Sequence, residues 1–215
     1  MRSLIIPSIS EDLAEETGLH IGDGSMNFYN GNGFYQLRGH IEDDKAHYAT
    51  RIKPLYSSLY GFEASLRDMP STRVHGFQLW SNELVYFKAR VLELPLGPKG
   101  QISIPGPFLS KMAMAKAVIR GVFDTDGCLY LEKKPNRLYP RIEITTISQI
   151  LMQQIRKILC KLDFSVCLCS FKSKDRSRAY RIITRGDKML NKWFNEICPA
   201  NPKFTDKLNY YLDNS

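Results

Sequence analysis

The sequence predicts an α+β protein made of one αββαββα unit written twice. Three observations carry this reading. The string LHIGDGSM (19–26) is echoed by VFDTDGCL (122–129), and Gly18/Gly121, Asp23/Asp126 and Gly24/Gly127 are each 103 residues apart. An apolar helix face at Tyr48, Ile52, Leu55, Tyr56 and Leu59 returns with the same displacement at Leu151, Ile155, Ile158, Leu159 and Leu162. Finally, each copy places a pair of alternating runs before that helix and another pair after it, which is how half-buried strands read. Self-similarity of this kind outranks any single motif as a guide to architecture.

Each copy opens with a helix that ends at an Asp-Gly pair, and Gly24 and Gly127 are expected to be the left-handed residues that close it. Two hairpins follow, over 25–42 and 128–146, turning at Gly31–Gly33 and at Pro135–Asn136. The second helices span 43–60 and 148–162, with Asp43 or Asp44 and Ser148 as N-caps. Pro54 should kink the first of them or delay its start, because proline lacks the N–H that the helix needs. The runs 62–80 and 164–184 supply two more strands each. Short helices over 82–94 and 187–197 come next, followed by Pro98–Lys99 and Pro202–Lys203. PLGPKGQISIPGPFLS (95–110) is rich in proline and glycine and reads as a linker between units 1–94 and 111–215. A duplication within one chain implies a monomer with a pseudo-twofold axis. The motif helices should meet on that axis. Gly18 and Gly121 lie mid-helix, where glycine costs about 1 kcal/mol against alanine, and close approach of the two backbones would offset that.

Bulk properties narrow the function. Of the 215 residues 43% are hydrophobic, enough for a core. No stretch approaches 18 uninterrupted apolar residues, so no transmembrane helix is expected. MRSLIIPSISEDL has too short an apolar run for a signal peptide. Five cysteines at irregular spacing point to a reducing intracellular compartment rather than secretion. Cys167 and Cys169 have no second pair or histidines at zinc spacing. The net charge is +8, unevenly spread: residues 1–110 carry 10 Lys and Arg against 12 Asp and Glu, and residues 111–215 carry 20 against 10. Such a surplus suits a polyanion, with nucleic acid favoured over an anionic membrane surface because no basic amphipathic helix stands out.

The aspartates admit three readings. One is a phosphatase nucleophile loop: GVFDTDGCL is similar to the Asp-x-Asp-Gly signature of haloacid dehalogenases. However, 120 residues precede it, Arg120 and Gly121 interrupt the strand it would need, and HIGDG lacks the nucleophile. Another is an ordinary polar turn, which explains one Asp-Gly but not two at matching places. The third puts both aspartates at helix C-termini, the wrong end of the dipole for a negative charge. Side by side, two such ends gather carboxylates and free carbonyls that would raise a pKa unless a cation entered. Oxygen donors of that kind suit magnesium or calcium, and a metal so held can activate water at a phosphodiester.

IRGVFDTDG (119–127) resembles the signature of LAGLIDADG homing endonucleases, and ETGLHIGDG (16–24) is a weaker copy of it. With the double αββαββα order, the resemblance covers nearly the whole chain and is to the single-chain, two-repeat type. It implies a saddle of two four-stranded antiparallel sheets lying in the DNA major groove, and metal-dependent double-strand cleavage at a long site. It carries the metal-holding, catalytic acids over to Asp23 and Asp126, with Gly22 and Thr125 beside them in the metal site. The cofactor would be magnesium, with calcium able to occupy the site without supporting cleavage. Lys99 and Lys203, matched after each last helix, are the candidates for the assisting lysines. The second motif also has Asp124 where the first has Ile21, a difference expected to act on helix packing more than on metal binding.

Alternation nominates the DNA-facing side chains. Ile142 and Ile144 should face the helices, leaving Arg141, Glu143 and Thr145 outward; Leu37 and Ile41 inward leave Gln36, Arg38 and His40 outward, with Gln78 and Arg181 on the last strands. These are side chains able to read base edges. Lys133, Lys134, Arg137, Lys172, Lys174, Arg176 and Arg178 gather near strand ends and turns, where phosphate is the target. The leading function is a site-specific endonuclease acting on double-stranded DNA. The alternatives are a splicing maturase that binds intron RNA on the same scaffold and a non-cleaving, sequence-specific DNA-binding protein.

Overall fold

The computed structural model describes residues 4–135, 137–172 and 178–214. Helix α1 (Glu11–Asp23) starts at Ser10, whose Oγ accepts from the Leu13 amide at 3.2 Å, with Glu11 and Asp12 in the first turn. Both features favour the positive end of a helix. Its counterpart α6 (Met112–Asp126) lies fifteen residues long against it. Each helix runs straight into a strand, β1 (Gly24–Tyr29) and β5 (Gly127–Lys134), with no loop between.

That junction corrects the expected left-handed glycines. Gly24 (φ −76°, ψ 154°) and Gly127 (φ −82°, ψ 159°) are both extended. They are glycine for lack of room. A Cβ on Gly24 would come 2.7 Å from His20 Cα, and one on Gly127 would meet the ring and carbonyl oxygen of Phe123.

The two sheets repeat one topology. The first, ordered β1-β2-β4-β3, adds β2 (Asn32–His40), β3 (Arg67–Met69) and β4 (Val74–Trp80). The second, ordered β5-β6-β8-β7, adds β6 (Arg137–Thr146), β7 (Cys167–Lys172) and β8 (Arg178–Arg185). All neighbours are antiparallel. The β1–β2 turn is Asn30–Gly31, both at positive φ, which suits a two-residue hairpin loop; Gly33 already belongs to β2. The β5–β6 turn includes Asn136, which lies outside the described residues.

Residues 45–60 are helical in three parts: α2 (Lys45–His47), a π-type segment Tyr48–Ile52 and α3 (Lys53–Tyr60). The wide turn sits just ahead of Pro54, where an ordinary helical bond is missing and the proline ring needs space. The equivalent α7 (Gln149–Lys161), without proline, is regular. Ser148 caps it as expected, whereas Asp44 stands at the N-cap of α2 but makes no cap bond. The short helices are α4 (Asn82–Tyr86), extended by a π-type segment Phe87–Val91, and α8 (Asp187–Glu196).

The segment 95–110 is not a free tether. It holds a single turn, α5 (Gly106–Leu109), and buries Ile102, Ile104 and Phe108. Ser148 Oγ donates to the Ile102 carbonyl at 2.6 Å, and the Gln154 amide brackets both backbone groups of Ile104. Helix α9 (Pro202–Asp213) extends the second copy beyond the expected order. Asn201 as N-cap followed by proline inside the first turn was its signal.

The axis of the molecule is the α1–α6 contact. A Cβ on Gly18 would strike the Val118 carbonyl oxygen and lie 3.0 Å from Gly121 Cα; one on Gly121 would lie 2.6 Å from the Leu19 amide nitrogen. The two backbones touch, as the paired glycines predicted. On either side lie two cores, Tyr35, Tyr56 and Phe77 in the first copy and Phe123, Trp193 and Phe204 in the second. The first core contains a charge pair: Lys88 Nζ donates to Glu16 at 2.6 and 2.7 Å, and both side chains are fully buried. All five cysteines are free. No helix among the described residues is long and apolar enough to cross a membrane.

Candidate metal centre and nucleic-acid interface

Because α1 and α6 abut, their last residues, Asp23 and Asp126, come to the same end of the contact. A Cβ on Gly22 would lie 3.5 Å from Asp126 Cγ, which places the Asp126 carboxyl against the end of the opposite helix. Burial, first, and then the neighbouring Asp126 and Asp44 carboxylates push Asp23 up to about 8, while Lys99 and Lys203 pull it down. Crowding by the surrounding protein pushes Asp126 up to about 6 against the same two lysines, although the residue keeps an exposed face. Both acids sit at the negative ends of helices, Asp23 half-buried and Asp126 with an exposed face, and the protein alone leaves them under-neutralised. Among the described residues no three His, Cys, Asp or Glu side chains form a metal cage. The donor set is therefore two carboxylates with nearby carbonyls, hard oxygens that fit a divalent cation drawing its remaining ligands from water and phosphate.

The two lysines are brought to this site but are held differently. Lys99 Nζ donates to the Ile21 carbonyl at 2.9 Å and also to that of Gly22, covering the C-terminus of α1. Burial lowers its pKa, opposed by Asp126 and Asp23. Lys203, at the start of α9, instead reaches into the first copy and donates to Asp44 Oδ1 at 2.8 Å. Asp44 Oδ2 accepts from the His40 amide at 2.7 Å, which explains why this carboxylate does not cap α2. The Thr125 hydroxyl is turned back onto the Gly121 and Val122 carbonyls, at 2.9 and 3.0 Å, so only its backbone is open to the site.

Asp124 has a positioning role that sequence could not supply. It is fully buried, accepts from the amides of Ala200 and Asn201, and lies 3.9 Å from His47 Nε2. Asn201 Nδ2 in turn donates to the Asp124 carbonyl and to Asp44 Oδ1, each at 2.9 Å. This cluster sets the N-terminus of α9 and thereby Lys203.

His47 and Asp124 give opposite pH dependences. Burial lowers His47 to about 4, so between pH 6.5 and 4 the unfolded chain takes a proton that the folded chain refuses, and stability falls on acidification. Burial raises Asp124 to about 7 despite its backbone hydrogen bonds, so its contribution is present at low pH and is lost as pH rises toward 7. His47→Gln removes the first effect only. Between pH 7 and pH 5 its stability is expected to gain about 2 kcal/mol relative to the unsubstituted protein. Urea midpoints at the two pH values check this; parallel shifts in both proteins would refute it.

Strand alternation holds for the nominated faces. In β2, Tyr35 and Leu37 are buried, while Gln36, Arg38 and His40 are half-exposed. Gln78 donates to Gln36 across the β2–β4 pair at 3.3 Å. In β6, Arg141 and Thr145 are half-buried on the outer side. Glu143 departs from expectation. Although it faces outward, it is only 4% exposed, because Arg141 Nε at 2.8 Å and Arg181 Nε at 3.3 Å close over it. Its carboxylate orients two guanidiniums more than it presents itself. Lys133, Lys134, Arg137, Lys172 and Arg178 are exposed near strand ends. Lys174 and Arg176 lie outside the described residues. The outer face of the first sheet also carries Tyr29, Phe34 and Trp80, aromatic residues that the same alternation places there.

Comparison with known proteins agrees with this geometry. The model of the LAGLIDADG-like domain matches residues 113–198, the copy with the fuller motif. Among solved structures, I-DmoI in complex with DNA and calcium superposes with a TM-score of 0.61 at 19% identity, covering 87% of this chain and 88% of that one. The N-terminal LAGLIDADG domain of DUF199/WhiA gives 0.54 at 14% identity, over 89% and 86% of the two chains. The LAGLIDADG homing endonuclease I-GzeII in complex with its DNA target gives 0.52 at 11% identity, over 93% and 87%. Comparison with curated proteins gives no match. Residues 113–198 thus match the LAGLIDADG-like domain, and the chain as a whole shares the two-repeat fold seen in I-DmoI and I-GzeII.

Proposed function

We propose that this protein is a monomeric, site-specific DNA endonuclease that makes a divalent-metal-dependent double-strand break at a long target. The observation that carries the reading is the pairing of Asp23 and Asp126 at the abutting ends of α1 and α6, flanked by Lys99 and Lys203. A site built only to stabilise the fold would not gather two acids at the negative ends of two helices. Similar folds support the same reading, since I-DmoI structures contain DNA with calcium, magnesium or manganese.

In this proposal Asp23 and Asp126 hold the metal, together with the carbonyls of Gly22 and Thr125. Magnesium, when bound, supplies the Lewis acidity that phosphodiester hydrolysis requires. Lys203, fixed by Asp44, and Lys99, fixed on the end of α1, set positive charge beside the acids, where an anionic phosphate group must be accommodated. Arg38, Gln36, His40 and Gln78 on one sheet, and Arg141, Thr145 and Arg181 on the other, read base edges with Glu143 orienting the guanidiniums. Lys133, Lys134, Arg137, Lys172 and Arg178 contact phosphate. Retention of both acids favours a nuclease over an RNA-binding maturase or a non-cleaving DNA-binding protein on this scaffold.

The test is incubation with a randomised duplex library, in magnesium and then in calcium, with the cut ends sequenced. A discrete set of sites cut on both strands in magnesium and bound but uncut in calcium is expected. Binding with no cleavage under either metal would reject the enzyme.

A further inference from the structure

The outer face of the first sheet changes character along its length. Toward the motif helices it offers Arg38, Gln36 and Gln78. Toward the far end it offers rings. Phe34 faces Trp80 across β2–β4, and Tyr29 stands beside them from β1. Their neighbours in sequence, Phe28, Tyr35 and Leu79, pack on the core, which leaves the three rings on the opposite side. Phe34 and Trp80 are 4.8 Å apart between centroids, with Tyr29 at 5.9 Å from Phe34 and 6.4 Å from Trp80. The cluster ends in solvent: Trp80 is 58% exposed and Tyr29 51%.

The scaffold does not require these rings. Gly24 pairs with Leu37 in the first sheet as Gly127 pairs with Ile144 in the second, so the partner of Phe34, three residues before Leu37, is Arg141, three residues before Ile144. Phe34 pairs with Trp80; Arg141 pairs with Arg185. One backbone step therefore carries an aromatic pair in one copy and a guanidinium pair in the other. Two large rings held in contact beside Gln36 and Gln78, at the end of the sheet away from Val74 and Met69, mark a site for an apolar group.

We propose that Phe34 and Trp80, buttressed by Tyr29, form a subsite for the C5-methyl group of thymine in the DNA major groove, making the first copy a reader of A·T pairs at the step where the second presents guanidiniums. The inference rests on the DNA-binding reading above. Among base edges in the major groove, the thymine methyl is the only apolar group, and aromatic side chains are suited to contact it. The cluster carries no cation, the group on which phosphate affinity chiefly depends, and the Tyr29 hydroxyl and the Trp80 indole N–H are its two polar donors.

The experiment replaces that methyl with hydrogen. Duplexes bound in calcium are selected from a random pool, and each thymine of the preferred sequence is exchanged singly for deoxyuridine. Losing one buried methyl should weaken binding about fourfold at one or two positions. In Trp80→Ala the same exchanges should change nothing, while thymine loses its preference there on reselection. Phe34→Ala should reproduce this, and circular dichroism checks that the fold is kept. If no exchange affects the unsubstituted protein, or if Trp80→Ala responds to deoxyuridine as strongly as it does, the subsite does not exist. If no duplex is selected at all, it is the DNA-binding reading that fails.

Discussion

Asp126→Asn and Asp23→Asn should each reduce cleavage by about a thousandfold or more while leaving duplex binding in place. The amide keeps the shape of the carboxylate but removes the charge that would hold a divalent cation. Several kcal/mol of transition-state stabilisation depends on that cation, and every 1.36 kcal/mol is a factor of ten in rate. Binding should survive, because the change removes negative charge from a site that, in the proposed function, faces phosphate. A second readout separates this from unfolding. Each aspartate sits at a helix C-terminus, where a negative charge is unfavourable, so above pH 8, with both carboxylates ionised, the amide should stabilise the metal-free fold by about 0.3–1 kcal/mol. Greater stability with no cleavage is the signature of a site maintained at the expense of the fold. Single-turnover cleavage of a selected duplex, followed on both strands, and thermal unfolding of the same samples give both numbers. Normal cutting by both variants would remove these acids from the chemistry.

Lys88→Met should destabilise the protein by about 3–5 kcal/mol, the largest effect expected on the fold. The reason is the partner it leaves behind. Glu16 is fully buried in α1 and accepts two hydrogen bonds from Lys88 and others from the Tyr56 and Tyr60 hydroxyls. Without the ammonium, the carboxylate must stay charged with only phenols around it or take up a proton at neutral pH. Burial lowers the Lys88 pKa, and Glu16 opposes the shift, so the pair stands or falls together. The companion variant Glu16→Leu/Lys88→Met should recover most of the loss, since replacing both members of a buried pair with apolar residues is often neutral. Urea denaturation measures both. A single variant within about 1 kcal/mol of the unsubstituted protein would mean that water reaches Glu16.

The architecture was readable because the chain states it twice. Displacement by 103 linked the motif to the second helix, and mid-helix glycines located the axis. What escaped was whatever depends on partners distant in sequence. Spacing marked Lys99 and Lys203 as equivalents, yet one covers carbonyls of its own copy and the other pairs with Asp44 of the opposite copy. Asp124 looked like a matter of helix packing and proves to anchor residues 200 and 201. Gly24 and Gly127 were assigned the usual reason for a glycine at a helix end, when the reason here is lack of space beside His20 and Phe123. Glu143 alternates outward as expected, but no local pattern could reveal that two arginines cover it. Helix α9 did leave a local trace in Asn201–Pro202.

The reach of Lys203 and Asn201 to Asp44 bears on how such a chain could be recombined. Sequence similarity between the halves invites treating them as interchangeable modules, to be shuffled with those of relatives so as to retarget cutting. Here the end of one module is seated on a carboxylate of the other. A chimaera that set this second module on a relative's first module would need the equivalent of Asp44 there, and without it Lys203 would be an ammonium with no counter-ion at the seam.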